Sequence, residues 1–133
     1  GPAPDGLIDI AASAKDINTL YAATQRGLVR STDGGRSWQP AHILRRTSTM
    51  VHVTHDADVY VFQLGTGLLR TSEPNLNWQL VSNEFDGVYV LHLAVDPANS
   101  KALYAVTLNS KTRAQAILTS RDGGKTWNEL GGK

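Results

Sequence analysis

One eight-residue segment occurs three times along the chain, as Ser31-Thr32-Asp33-Gly34-Gly35-Arg36-Ser37-Trp38, Thr71-Ser72-Glu73-Pro74-Asn75-Leu76-Asn77-Trp78 and Ser120-Arg121-Asp122-Gly123-Gly124-Lys125-Thr126-Trp127. Recurrence at this scale confines the fold to stacked copies of one small unit, because a single unit cannot bury its apolar face alone. Counting back from each tryptophan, a hydroxyl residue stands at minus seven (Ser31, Thr71, Ser120) and an acid at minus five (Asp33, Glu73, Asp122). Gly35 and Gly124 stand at minus three. The middle copy keeps the chemical types at the first two places but has no glycine.

The repetition extends upstream of each segment. Leu20-Tyr21-Ala22-Ala23-Thr24, Val59-Tyr60-Val61-Phe62 and Leu103-Tyr104-Ala105-Val106-Thr107 precede Gly27-Leu28-Val29-Arg30, Gly67-Leu68-Leu69-Arg70 and Ala116-Ile117-Leu118-Thr119. These runs are short, rich in β-branched and aromatic residues, and punctuated by Gly, Asn, Asp and Pro too closely for helices. Each unit therefore reads as four strands. The tryptophan spacings of 40 and 49 residues fit a four-stranded propeller blade, the longer one accommodating an insertion around Leu108 to Gln115. The expected fold is an all-β propeller segment of three antiparallel blades, at about 7–43, 49–82 and 88–130. Within the segments, Asp33-Gly34-Gly35 and Asp122-Gly123-Gly124 are hairpin chemistry, with glycine supplying positive φ and the carboxylate accepting turn amides.

Ser-x-Asp-x-Gly-x-Ser/Thr-Trp resembles the Asp-box, or bacterial neuraminidase repeat, carried here by Ser31, Asp33, Gly35, Ser37 and Trp38 and by Ser120, Asp122, Gly124, Thr126 and Trp127. The resemblance extends to sialidases, xyloglucan-active hydrolases, sortilin-like receptors and photosystem II assembly factors. It implies a structural hairpin between the third and fourth strands, remote from any active site, and a secreted or periplasmic setting. Blade 2 departs from the pattern through Glu73, Pro74, Asn75 and Asn77, which predicts a more irregular turn.

Composition removes several classes of function. Thirteen Lys and Arg against twelve Asp and Glu leave a net charge of +1, so nothing marks a nucleic-acid surface, and Arg45-Arg46 is the one local basic pair. Without cysteine there is no disulfide, thiol nucleophile or Cys-ligated zinc. No apolar run reaches the ~18 residues of a membrane helix. The chain also lacks a Gly-x-Ser-x-Gly elbow, a phosphate loop and the Phe-Arg-Ile-Pro-type segment of sialidases. Its box acids are accounted for by hairpins and Asp96 by an Asp-Pro turn. The expected function is accordingly a non-catalytic binding or assembly module taking a protein or glycan ligand, and the alternative is a piece of a sialidase- or xyloglucanase-like hydrolase.

Propeller rings hold about four to eight blades. Three blades expose two faces, which predicts a two-fold homodimer closing a six-bladed ring, the first blade of one chain packed on the third blade of the other, against the alternative that the chain is a piece of a longer propeller. On the innermost strands, Asp9, His52 and His92 are each flanked by apolar residues, and counting back from the tyrosines makes them equivalent once the first hairpin of blade 2 is taken as four residues shorter. Alternation would send the flanks one way and the polar residues towards the channel. They read as a solvated channel wall or, with two imidazoles and a carboxylate, as candidate ligands for a divalent transition metal.

Overall fold

The computed structural model describes residues 3–83 and 85–131, and its elements are all strands. Blade 1 comprises β1 (Leu7–Ala12), β2 (Leu20–Thr24), β3 (Gly27–Ser31) and β4 (Gln39–Pro40). Blade 2 comprises β5 (Ser48–Val53), β6 (Asp58–Gln63), β7 (Gly67–Ser72) and β8 (Gln79–Ser82). Blade 3 comprises β9 (Val88–Asp96), β10 (Asn99–Asn109), β11 (Gln115–Ser120) and β12 (Asn128–Glu129). Each blade is one antiparallel sheet whose strands pair in chain order, as two- to seven-residue connections demand. No helix among the described residues is long and apolar enough to cross a membrane.

Why these runs become strands is visible in their burial. Asp58–Gln63 is almost wholly buried because blade 2 is packed on both faces, so hydrophobic residues fill consecutive positions. The insertion in blade 3 lengthens the β10–β11 hairpin, closed by Asn109 N–H to Ala114 O at 2.8 Å. Asp96 caps its turn through Ala98 N–H at 2.8 Å, the role assigned to the Asp-Pro pair.

The core lies between blades. Met50, Tyr60, Phe62 and Leu68 of blade 2 pack with Val90, Leu93, Leu103 and Ala105 of blade 3. Val51, Val59, Val61 and Leu69, at the alternate positions, pack with Tyr21, Ala23 and Leu28 of blade 1. Burying one such leucine contributes about 2 kcal/mol. Side chains on the inner strands thus alternate between the preceding and the following blade. This corrects the expectation that polar residues would turn to the axis and apolar ones away: a propeller's sheets stand face to face, so both directions of the pleat end in a neighbour.

The Arg45-Arg46 pair clamps the blade 1–blade 2 linker. Arg45 Nε donates to Arg26 O at 3.2 Å, and Arg46 Nη1 donates to Gly65 O and Thr66 Oγ1, both at 3.0 Å.

Candidate functional site

The acids that the repeat selects are committed to hairpins in blades 1 and 3. Ser31 Oγ donates to Asp33 Oδ1 at 2.7 Å and accepts from Gly35 N–H at 2.9 Å; Asp33 Oδ1 accepts Ser37 N–H at 2.9 Å and its Oδ2 accepts the Ser37 hydroxyl. In blade 3 Ser120 Oγ donates to Asp122 Oδ1 at 2.8 Å, and the carboxylate receives Thr126 N–H at 2.9 Å and Thr126 Oγ1 at 2.6 Å. The residue types and spacing follow from this geometry, since the Ser-to-Asp and Asp-to-Ser/Thr steps span one turn and Gly34, Gly35, Gly123 and Gly124 all take positive φ. The hydroxyl at the end of each turn (Ser37 or Thr126), then its own amide, then the serine two residues before the acid hold Asp33 and Asp122 far below the ordinary carboxylate value of 3.8.

Blade 2 uses the same positions differently. Thr71 Oγ1 still accepts within the turn, from Asn77 N–H at 2.7 Å. Glu73, expected to act as the box acid of its own hairpin, instead reaches into blade 1, where Oε2 accepts the Tyr21 hydroxyl at 2.7 Å and Oε1 accepts Ala14 N–H at 2.9 Å. It is buried. The cause is its extra methylene and the missing glycines: without the two positive-φ turns no nest of amides forms around the acid, and the longer side chain finds donors 52 and 59 residues away.

The three tryptophans also diverge. Trp78 lies against blade 1 and donates Nε1–H to Ala41 O at 2.7 Å, with His42 edge-on to its ring at 5.7 Å. Trp127 lies against blade 2, beside Phe85 at 5.8 Å, and its Nε1–H closes on Gly124 O at 2.7 Å. Trp38 Nε1 is buried without a hydrogen-bond partner among the described residues. His42 is a buried joint of blades 1 and 2 whose Nδ1 accepts Leu44 N–H at 3.0 Å; burial lowers its pKa.

Asp9, His52 and His92 do line one cleft, together with Ile10, Val51 and Leu93. Their equivalence needs correction. Asp9 pairs with Ala23 and His92 with Val106, each two residues past the β2 or β10 tyrosine, so these two match. His52 pairs with Tyr60 itself, and its counterparts are Ala11 and Ala94; the blade 2 counterpart of Asp9 is Met50. Ten residues separate Ala11 from Tyr21 but eight separate His52 from Tyr60, so the blade 2 hairpin is two residues shorter and not four. Asp9 is also engaged: Oδ1 accepts Ile10 N–H at 2.9 Å and Oδ2 accepts Val51 N–H at 3.1 Å, tying blade 1 to blade 2. Burial lowers the His52 pKa, with the Asp9 charge opposing it. No three His, Asp or Glu side chains converge in a metal-holding arrangement among the described residues.

Residues 29–40 and 118–129 match the family model described as BNR/Asp-box repeat. The chain carries Asp-box repeats. The two matched stretches are those of the complete hairpins, while the altered Asp-box of blade 2 falls outside them. No curated protein matches the chain. Among solved structures it is similar to the GH74 enzyme of Niastella koreensis (TM-score 0.71, 18% identity, covering 93% of this chain and 22% of that one) and to YCF48 from Cyanidioschyzon merolae (TM-score 0.66, 25% identity, covering 98% and 41%). The chain thus spans about a fifth and two fifths of these β-propeller proteins, and the likeness carries the blade fold.

The Asp-box carboxylates give acid stability a definite sign. Since both are depressed in the folded chain, the unfolded chain takes up protons first as pH falls, so their contribution is complete above about pH 5 and is lost as pH drops towards the folded values. Thermal melts followed by circular dichroism should show a steeper loss below about pH 4 in the wild type than in an Asp33→Asn/Asp122→Asn double variant. Parallel curves would show that other carboxylates govern acid unfolding.

Proposed function

We propose that the chain is a non-catalytic β-propeller binding and assembly module, half of a six-bladed ring that a second copy completes. The observation that carries this reading is the pair of uncovered blade faces: Leu7, Ile8 and Ile10 stand exposed on blade 1, and Tyr104, Ile117 and Leu130 on blade 3. Protein or glycan ligands would meet the connecting loops and the inner-strand cleft, which a rigid stack of sheets presents.

The acids support the non-catalytic side. A glycosidase requires a general acid with a raised pKa facing a second carboxylate. Here the two aspartates with shifted values are driven the other way and are spent on hairpin amides and hydroxyls. Light scattering at micromolar concentration is the test, with an expected mass of twice 14.4 kDa. A monomer would refute ring closure by a second copy, and turnover of sialosides or xyloglucan oligosaccharides would refute the non-catalytic reading.

The cleft of Asp9, His52 and His92 supports a second, narrower reading, because it gathers three potential donors on one surface. With both Asp9 oxygens already accepting amides, a divalent transition metal there would rest on the two imidazoles, which ligate only when neutral. Calorimetric titration of Zn²⁺ into wild type and a His52→Ala/His92→Ala variant tests it. Heat in the wild type that the variant loses is the signature; equal heats assign the cleft to the solvated channel wall.

A further inference from the structure

Blade 2 shows how one blade receives the next, and strand register transfers that contact to the two uncovered faces. Met50, Tyr60, Phe62, Leu68 and Val81 form the surface of blade 2 that meets blade 3. Their counterparts on blade 3, by ladder pairing and by distance from the box tryptophan, are His92, Tyr104, Val106, Ile117 and Leu130. The receiving surface of blade 3 is Val90, Leu93, Leu103, Ala105 and Trp127. Its counterparts on blade 1 are Leu7, Ile10, Leu20, Ala22 and Trp38. Leu7, Ile10, Tyr104, Ile117 and Leu130 are 40–59% exposed, whereas Val90, Leu93, Tyr60 and Leu68, the counterparts of the first four, are at most 9% exposed. The two faces therefore carry the two halves of a contact that the chain already makes internally.

One detail says what fits there. A Cβ on Gly124 would lie 3.2 Å from Leu68 Cδ2 and Val81 Cγ1 of the preceding blade, whereas Gly35, at the same box position, meets only Leu20 and Trp38 of its own blade at 3.8 Å. The residues matching Leu68 and Val81 are Ile117 and Leu130.

We infer that blade 1 of one copy receives blade 3 of a second copy in the geometry of the internal blade contacts, with Ile117 and Leu130 of the second copy covering Leu7, Ile10 and the turn at Gly35. The inference rests on ring closure by a second copy and specifies its pairing. A two-fold axis makes the contact twice, so one partner covers all four faces. A face-to-face arrangement, blade 1 on blade 1, would set neither Ile117 nor Leu130 over Gly35.

Light scattering of the wild type, Ile10→Lys and Ile117→Lys separates the two levels. The changed side chains are exposed, and circular dichroism verifies that the fold is kept. A monomeric wild type overturns ring closure itself. With a dimeric wild type, each variant alone should lose the dimer at micromolar concentration, because each spoils one side of both contacts. An equimolar mixture at about a hundred micromolar should regain a heterodimer through the one contact that keeps both native faces. Either variant remaining dimeric alone, or a mixture that stays monomeric, overturns the pairing and leaves ring closure standing.

Discussion

Gly67→Ala is expected to destabilise the chain by about 4 kcal/mol, at the severe end of single substitutions. Gly67 opens β7 at φ +119°, where an L side chain is strained, and a Cβ there would overlap the main-chain oxygen of Ser82 while lying 3.1 Å from Asn83 Cα. Backbone strain of about 1–3 kcal/mol and overpacking of about 1–3 kcal/mol act together, because neither obstacle is a side chain able to turn away. Gly34→Ala is the control: φ is +75° but no atom lies within 4 Å, so only the left-handed penalty of about 1 kcal/mol remains. Gly124→Ala should fall between them, since its 3.2 Å neighbours are the ends of Leu68, Val81 and Leu103. Urea denaturation reads all three as shifts in midpoint at constant slope. Equal losses at Gly34 and Gly67 would show that conformation alone, and not the packing of β7 against the end of β8, sets the requirement.

Glu73→Ala is the second large effect, about 3 kcal/mol, because it strands the buried Tyr21 hydroxyl without an acceptor and gives up the bond that ties the exposed Ala14 amide to blade 2. A double-mutant cycle with Tyr21→Phe should return a coupling of about 1.5–3 kcal/mol, the range of a hydrogen bond to a charged group. Coupling near zero would mean that Glu73 stabilises blade 2 alone. The same contact has an alkaline signature. Burial first, and then Glu73, raise the Tyr21 pKa above the ordinary 10.0. The unfolded phenol ionises first, so this contribution is complete below about pH 10 and is lost as pH rises through the folded value. Stability should therefore decline less steeply above pH 10 in Tyr21→Phe than in the wild type, the remaining slope belonging in part to Tyr60, which burial also raises.

The sequence by itself determined the blades and the two complete Asp-boxes. Strand alternation, positive-φ glycines and the Ser31–Asp33–Ser37 and Ser120–Asp122–Thr126 hydrogen bonds act over four residues or fewer, so residue order carries them. Glu73 lay beyond that reach. Its position in the repeat was legible, but its partners were not, since nothing near it in the chain names Tyr21 or Ala14. His52 illustrates the same limit differently: counting along a loop assumes a hairpin length, and register is decided only when β5 meets β6 and Met50 and Val51 find opposite neighbours. The uncovered faces were foreseeable from three blades, whereas the orphaned Trp38 indole was not. Tertiary structure decided these points because contacts between blades join residues some forty to sixty positions apart, and the free energy of such a contact depends on where two separately folded sheets come to rest.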